Sequence, residues 1–302
     1  MLVEETLTAL AVEAGGYYVD ATFGRGGHTA RILEALGGEG RVLAIDRDPQ
    51  AAQAGFERFS HDLRLTVVRA AFSDLRSLVP AHSRGRPCRG VLFDLGVSSP
   101  QLDMPERGFS FRADGPLDMR MDPTHGVPVA HWLASASLDE IRTVIATLGE
   151  ERFARRVAQA IVRARALAPI ERTAQLAAIV ASAVRTREPG KHPATRTFQA
   201  LRMHINDELG ELARGLEAAA AVLAPGGRLA VISFHSLEDR VVKQFMRART
   251  RIDPELETMP MIPESAQPRF RDVGRKQRPT ADESRRNPRA RSAILRVIEK
   301  LR

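Results

Sequence analysis

Carboxylates and glycines that close apolar runs are the residues in this chain best suited to chemistry. In "DATFGRGGHTARIL" (20–33), Asp20 ends one such run and is followed by Gly24, Gly26 and Gly27. Glycines in a turn let the backbone adopt positive φ and approach a ligand without an intervening Cβ. Asp46 closes the next apolar run, "GRVLAIDRD" (40–48), and Asp94 closes the strand read from a further one, "GVLFDLGVSS" (90–99). A phosphate-cradling P-loop would end in a Lys-Ser/Thr pair, which is missing here. A dinucleotide fingerprint would read G-x-G-x-x-G, and Thr29 occupies the third glycine position. An acid placed like Asp46 accepts hydrogen bonds from ribose hydroxyls in both nicotinamide and S-adenosylmethionine (SAM) sites. The missing third glycine, together with Asp20 ahead of the loop, favours SAM. The alternative is a tight turn that serves only the fold.

The elements around these residues alternate. Runs at 16–22, 40–48, 63–72 and 90–99 read as strands, with helical patterns at 28–36 and 49–59. Strands without polar alternation, separated by helices, indicate a parallel sheet covered on both faces. The alternation stops at Asp103. A loop-rich stretch, "PERGFSFRADGPLDMRMDPTHG", leads into helical patterns at 138–149, 151–167 and 172–185. A helix over 206–223, a "PGG" turn, a strand over 228–234, a helix over 237–247 and a strand over 291–300 then resume the α/β pattern. The expected fold is therefore α/β: a Rossmann-like sheet made of residues 1–102 and 206–302, with a mainly helical domain, 103–205, inserted between its fourth and fifth strands.

Composition narrows the function class. The chain has 302 residues, 43% hydrophobic and 27% charged, with a net charge of +8 and one cysteine, Cys88. A single cysteine excludes a disulfide framework and a cysteine-based zinc site, and no metal-ligand set is read from the motifs. No apolar run approaches the ~20 residues of a membrane span, and the acidic start is unlike a signal sequence, so a cytoplasmic protein without a membrane is expected. Positive charge is uneven. Residues 152–202 carry 11 Lys/Arg against 2 Asp/Glu, and 271–302 carry 11 against 4, while 103–151 carry 4 against 9. Two basic segments suit a nucleic-acid footprint. They equally suit a solvated basic face in an arginine-rich chain.

Longer motifs are more specific. "DLGVSSPQLD" (94–103), "ERGFSFRADGPLDMRMD" (106–122), "GKHPATRTFQALR" (190–202), "ISFHSLEDRVVKQF" (232–245) and "NPRARSAILR" (287–296), taken with the glycine loop, closely resemble the RsmH (MraW) family. That resemblance spans nearly the whole chain, although the family usually has a longer lead-in than "MLVEETL". It implies a class I SAM-dependent methyltransferase acting on the exocyclic N4 of a decoding-centre cytosine in 16S rRNA. The partner would be that rRNA in the small ribosomal subunit or a late precursor; a homodimer stays open. The resemblance carries cofactor contacts onto Gly26, Gly27, His28, Asp46, Phe72, Asp94 and Gln101. His28 would sit at a helix N-terminus facing the methionine carboxylate. Phe72 would lie against adenine, unless it is an ordinary core aromatic.

On this reading Asp94, with Ser98 or a loop carbonyl, accepts the N4 hydrogens. Cys88 is no nucleophile for C5 transfer, because it precedes the fourth strand at the end remote from the ligand, about 20 Å away at ~3.3 Å per residue. Phe109 and Phe111 would stack on the extruded base, or else pin the loop. Lys191, His192, Arg196 and Arg202 would track phosphates, and His235 would face the substrate. Three other readings compete. A DNA amino-methyltransferase would usually carry an Asp/Asn/Ser-Pro-Pro-aromatic tetrapeptide, absent here. A non-enzymatic RNA-binding module would bind no SAM. A NAD-dependent oxidoreductase is disfavoured by Thr29.

Overall fold

The computed structural model describes residues 1–184, 192–252, 255–256 and 263–302. The chain divides into two compact units, one made of Met1–Gly96 with Leu209–Arg302 and the other of Val97–Glu208.

In chain order the first unit begins with α1 (Val3–Leu10), β1 (Tyr17–Asp20), α2 (Gly27–Leu36), β2 (Arg41–Asp46), α3 (Pro49–Arg58), β3 (Leu65–Arg69), α4 (Leu75–Ser83) and β4 (Cys88–Asp94). The second unit contributes α5 (Ser99–Asp103), α6 (Val129–Ser135), α7 (Leu138–Gly149), α8 (Ala154–Leu167), α9 (Thr173–Ala183) and α10 (Thr195–Ile205). α11 (Glu208–Val222) then leads back to β5 (Leu223–Ser233), α12 (Ser236–Thr250), β6 (Phe270–Asp272), α13 (Ala281–Arg286) and β7 (Ile294–Lys300).

The strands form one sheet in the order β3-β2-β1-β4-β5-β7-β6. β1 to β5 run parallel, and β7 is antiparallel to both β5 and β6. Successive residues of a strand feed opposite cores. Val91 and Phe93 of β4 pack with α4, α11 and α12, while Leu92 packs with α1 and α2. Burial on both faces explains why these strands read as unbroken apolar runs. The "PGG" turn survives as an irregularity inside β5: the pairing with β4 jumps from Leu223 to Arg228, and Gly226 takes φ 78° across the gap.

Several elements differ from the sequence expectation. α1, α4 and β6 were not foreseen. α4 hides behind its internal Pro80, which reads as a breaker, and β6 has only three residues. α1 is no loose lead-in, since Leu2 is fully buried and its backbone N–H donates to Glu283 Oε1 at 2.8 Å. Cys88 opens β4 instead of preceding it, while Asp94 ends that strand as expected. Among the described residues no helix is long and apolar enough to cross a membrane.

The Val97–Glu208 unit has its own core, built from α6 to α10 and the loop ahead of α6. α7 and α10 approach closely at Gly149, where a Cβ would meet the Arg196 carbonyl oxygen at 2.7 Å. The expected helix over 206–223 forms as α11 but starts at Glu208, because the chain breaks after α10 ends at Ile205 and Asp207 takes φ 48°. Asn206, buried in that break, accepts from Met121 N and donates to Met119 O, each at 2.7 Å. Arg107 donates to Met121 O at 2.9 Å. These bonds hold the "GPLDMRM" stretch (115–121) in place.

Candidate functional site

Strand order reverses between β1 and β4, and in an open parallel sheet the crevice beyond the carboxyl ends at such a point receives the ligand. Asp20 and Asp94 end those two strands. The glycine loop begins immediately after Asp20. Phe23 N donates to Ile45 O at 2.9 Å, and its buried ring fills the space a Cβ on Gly26 would need, 2.7 Å away. Gly26 takes φ 72° and is the N-cap of α2 without any side-chain cap. Gly26 is therefore required by packing and backbone. Gly27 differs, since a Cβ there would meet nothing within 4 Å. The first N–H groups of a helix have no intrahelical acceptor. Those of α2 begin at Gly27 and His28.

Two carboxylates are wired into this loop. Asp46 accepts from Gly24 N at 2.8 Å and from Asp48 N at 2.9 Å. Burial nonetheless pushes its carboxyl up to about 6, against the pull of those two bonds. Asp20, fully buried, accepts from Thr22 N at 3.2 Å and from Thr29 Oγ1 at 2.7 Å. Burial raises its pKa, opposed by the nearby His28 and by the Thr29 bond. Thr29 stands where a dinucleotide fingerprint has its third glycine, so the departure seen in the sequence has a purpose. It holds Asp20.

Asp94 sits across from this pair. Its N–H donates to Thr22 Oγ1 at 2.6 Å, and its Oδ2 lies 3.4 Å from His28 Nε2. That approach satisfies no hydrogen-bond geometry: His28 Nε2 and Asp94 Oδ1 are both buried without a partner among the described residues. Buried polar atoms left so are uncommon and call for an explanation. A ligand polar group between β1 and β4 supplies one. The sequence singled out Asp94 and His28, but it assigned no role to Thr22 or Thr29. Their only signal was a hydroxyl beside an acid at a strand end.

Other expected residues fare differently. Phe72 follows β3 in a short turn, yet its ring packs edge-on to Phe93, with centroids 5.2 Å apart, and over Gly215, whose Cβ would meet it at 2.4 Å. Much of that ring belongs to the core. His235 is the N-cap of α12 and forms a capping box with Glu238 through Nδ1, while its Nε2 is buried without a hydrogen-bond partner among the described residues. Cys88 is buried at the far end of β4, where desolvation pushes its thiol up to about 12. It is neither placed nor ionised as a nucleophile.

In the other unit, Ser98 and Gln101 form the capping box of α5, with Ser98 N donating to Gln101 Oε1 at 2.9 Å. Ser98, expected as an acceptor for substrate hydrogens, thus stands at the N-cap of α5. Phe109 is buried in the helical core, which overturns the stacking role and leaves the loop-pinning one. Phe111, half-buried, lies against His192 and Phe198 with centroids 4.6 and 4.8 Å away. Arg202 forms a two-point ion pair with Glu208 at 2.6 and 2.7 Å, and Arg196 donates to the Glu150 carbonyl. These bonds take one N–H of Arg196 and two of Arg202, so both side chains are tied to their own unit, and each guanidinium fork carries further donors that suit phosphates. Lys191 lies outside the described residues.

Comparison with known proteins gives a consistent result. The model of the MraW methylase family matches residues 1–301. The ribosomal RNA small subunit methyltransferase H of Dechloromonas aromatica (strain RCB) is 54% identical over 303 residues, covering 100% of this chain and 97% of that protein. The protein of the same name from Thioalkalivibrio sulfidiphilus (strain HL-EbGR7) is 53% identical, covering 100% and 96%. Among solved structures, an rRNA methylase from Streptococcus thermophilus aligns over 100% of this chain and 98% of its own at 14% identity and a TM-score of 0.45.

Proposed function

Since the chain belongs to the MraW methylase family, we propose that it transfers a methyl group from SAM to the exocyclic N4 of a cytosine in the decoding centre of 16S rRNA. One observation carries this reading. His28 Nε2 and Asp94 Oδ1 are buried without a hydrogen-bond partner among the described residues where the sheet reverses, close to Gly27, at which a Cβ would meet nothing within 4 Å.

The residues fit SAM. Asp46 keeps lone pairs free for ribose hydroxyls beyond the two backbone bonds it accepts. The opening N–H groups of α2 suit the methionine carboxylate. The contact at Phe72 falls to its backbone and to what remains of the ring. When bound, SAM supplies an electrophilic methyl carbon on a sulfonium. Asp94 Oδ1 would accept a hydrogen bond from the N4 amine, drawing its lone pair out of ring conjugation, and would take the proton released as the N–C bond forms and the methyl–sulfonium bond breaks to leave a neutral thioether. His28, 3.4 Å from the other Asp94 oxygen, steadies that carboxylate while Asp20 and Thr29 brace the start of α2. Positioning of this kind is worth an effective molarity on the order of 10⁵–10⁸ M. The cytosine must leave its stack to reach Asp94, at a cost of a few kcal/mol. The Val97–Glu208 unit recognises the RNA, and the small-subunit substrate implies a cytoplasmic site of action.

The test is to incubate the protein with methyl-labelled SAM and small ribosomal subunits, then map the label by nucleoside mass spectrometry. Label on N4 of a single cytosine is expected. Label on C5 or on a ribose oxygen, or no transfer from a protein that retains SAM, overturns the reading.

A further inference from the structure

Arg196 and Arg202 are partly engaged inside their own unit, and a phosphate-binding surface is best served by guanidiniums that hold no partner there. α8 presents one. At 100° per residue its buried residues Ala154, Val157, Ala158 and Ile161 share one side, and Arg155, Arg156 and Arg163 occupy an arc on the opposite side. Arg155 and Arg163 are exposed and Arg156 is half-buried. Among the described residues, none of these three side chains makes a hydrogen bond, an ion pair or a ring contact. α8 contains no acidic residue, and α9, packed against it, contains no charged residue at all. On α7, the other neighbour, Asp139 pairs with Arg142 and Glu140 caps Ser137. No acid of α7, α8 or α9 thus pairs with these three arginines among the described residues.

We propose that this outer face of α8 receives the phosphodiester backbone of the RNA substrate, an inference that rests on the methyltransferase reading above. From Arg155 to Arg163 the helix rises about 12 Å, enough at ~3.4 Å of axis per phosphate to cover three or four phosphates of one strand. The planar guanidinium forks suit phosphate oxygens, and the stripe carries no amide or carboxylate that would read a base edge apart from Gln159. The surface therefore orients RNA without selecting its sequence.

The test uses the full-length protein and a transcript of small-subunit rRNA, with affinity measured across a salt series. The triple variant Arg155→Gln, Arg156→Gln and Arg163→Gln is compared with a control triple at exposed positions of the other unit, Arg76→Gln, Arg84→Gln and Arg247→Gln. For the α8 triple, the slope of log affinity against log salt is expected to become shallower by roughly 2–3, about one per lost phosphate contact. Its SAM affinity and melting temperature should match wild type, because these side chains face away from the core. Lysines at the same three positions should preserve the slope. A wild-type slope in the α8 triple, or an equal loss in the control triple, overturns the inference while leaving methylation intact. If the wild-type protein binds RNA without salt dependence and transfers no methyl group to small subunits, the underlying reading fails instead.

Discussion

At the carboxyl edge of the sheet, His28, Asp46 and Asp94 keep polar atoms or lone pairs that the fold does not use up. In the helical unit, Phe109, Arg202 and Ser98 serve packing, pairing and capping. The difference lies in what made each residue a candidate. The first group was selected by position, at strand ends and a glycine turn where the backbone must open toward a ligand. The second was selected largely by residue type within a basic or aromatic segment, and a folded unit recruits such side chains for its own cohesion. A charge is most available to a partner when nothing inside has claimed it.

The largest effect expected concerns the first region. Asp94→Asn should lower the methyl-transfer rate by about 10²–10⁴-fold, the usual span for loss of a positioned proton acceptor. Calorimetry should find SAM affinity changed only a few-fold, and a rate near wild type would place the chemistry elsewhere. Phe109→Ala probes the other side of the comparison. It should cost about 3–5 kcal/mol of unfolding free energy, as large aromatic truncations do, and leave SAM binding unaltered. A stable variant with weakened RNA binding would return Phe109 to the substrate.

A smaller effect is expected at Thr29→Val. Leaving the buried Asp20 carboxylate one hydrogen bond short should destabilise the protein by about 1–3 kcal/mol in denaturant titration. An unchanged midpoint would mean that Thr29 does not hold Asp20. The mildest change is a pH profile. With its carboxyl raised to about 6, Asp46 is ionised and ready for ribose hydroxyls only above that pH. SAM affinity should fall by up to tenfold per unit as pH drops below about 6. In Asp46→Asn the fall should vanish and affinity should be uniformly lower, whereas an identical pH profile would assign the titration to another group.

Much of the architecture was readable because burial on both faces writes itself as unbroken apolar runs, as in "RVLAID" and "GVLFD". α4 was hidden by Pro80, and β6 by having only three residues to show a pattern. The start of α11 was legible to within two residues, because Asn206 and Asp207 interrupt the helical composition there.

The amino-acid sequence by itself determined the glycine turn, the acids at the ends of the strands and the family to which they belong. Those features depend on local backbone needs and on spacing along one chain. Only the tertiary structure decided that Thr29 braces Asp20, that His28 and Asp94 face each other unsatisfied, and which arginines remain unclaimed. Each of these depends on which groups distant in sequence come within 3 to 4 Å, and no local pattern encodes that distance.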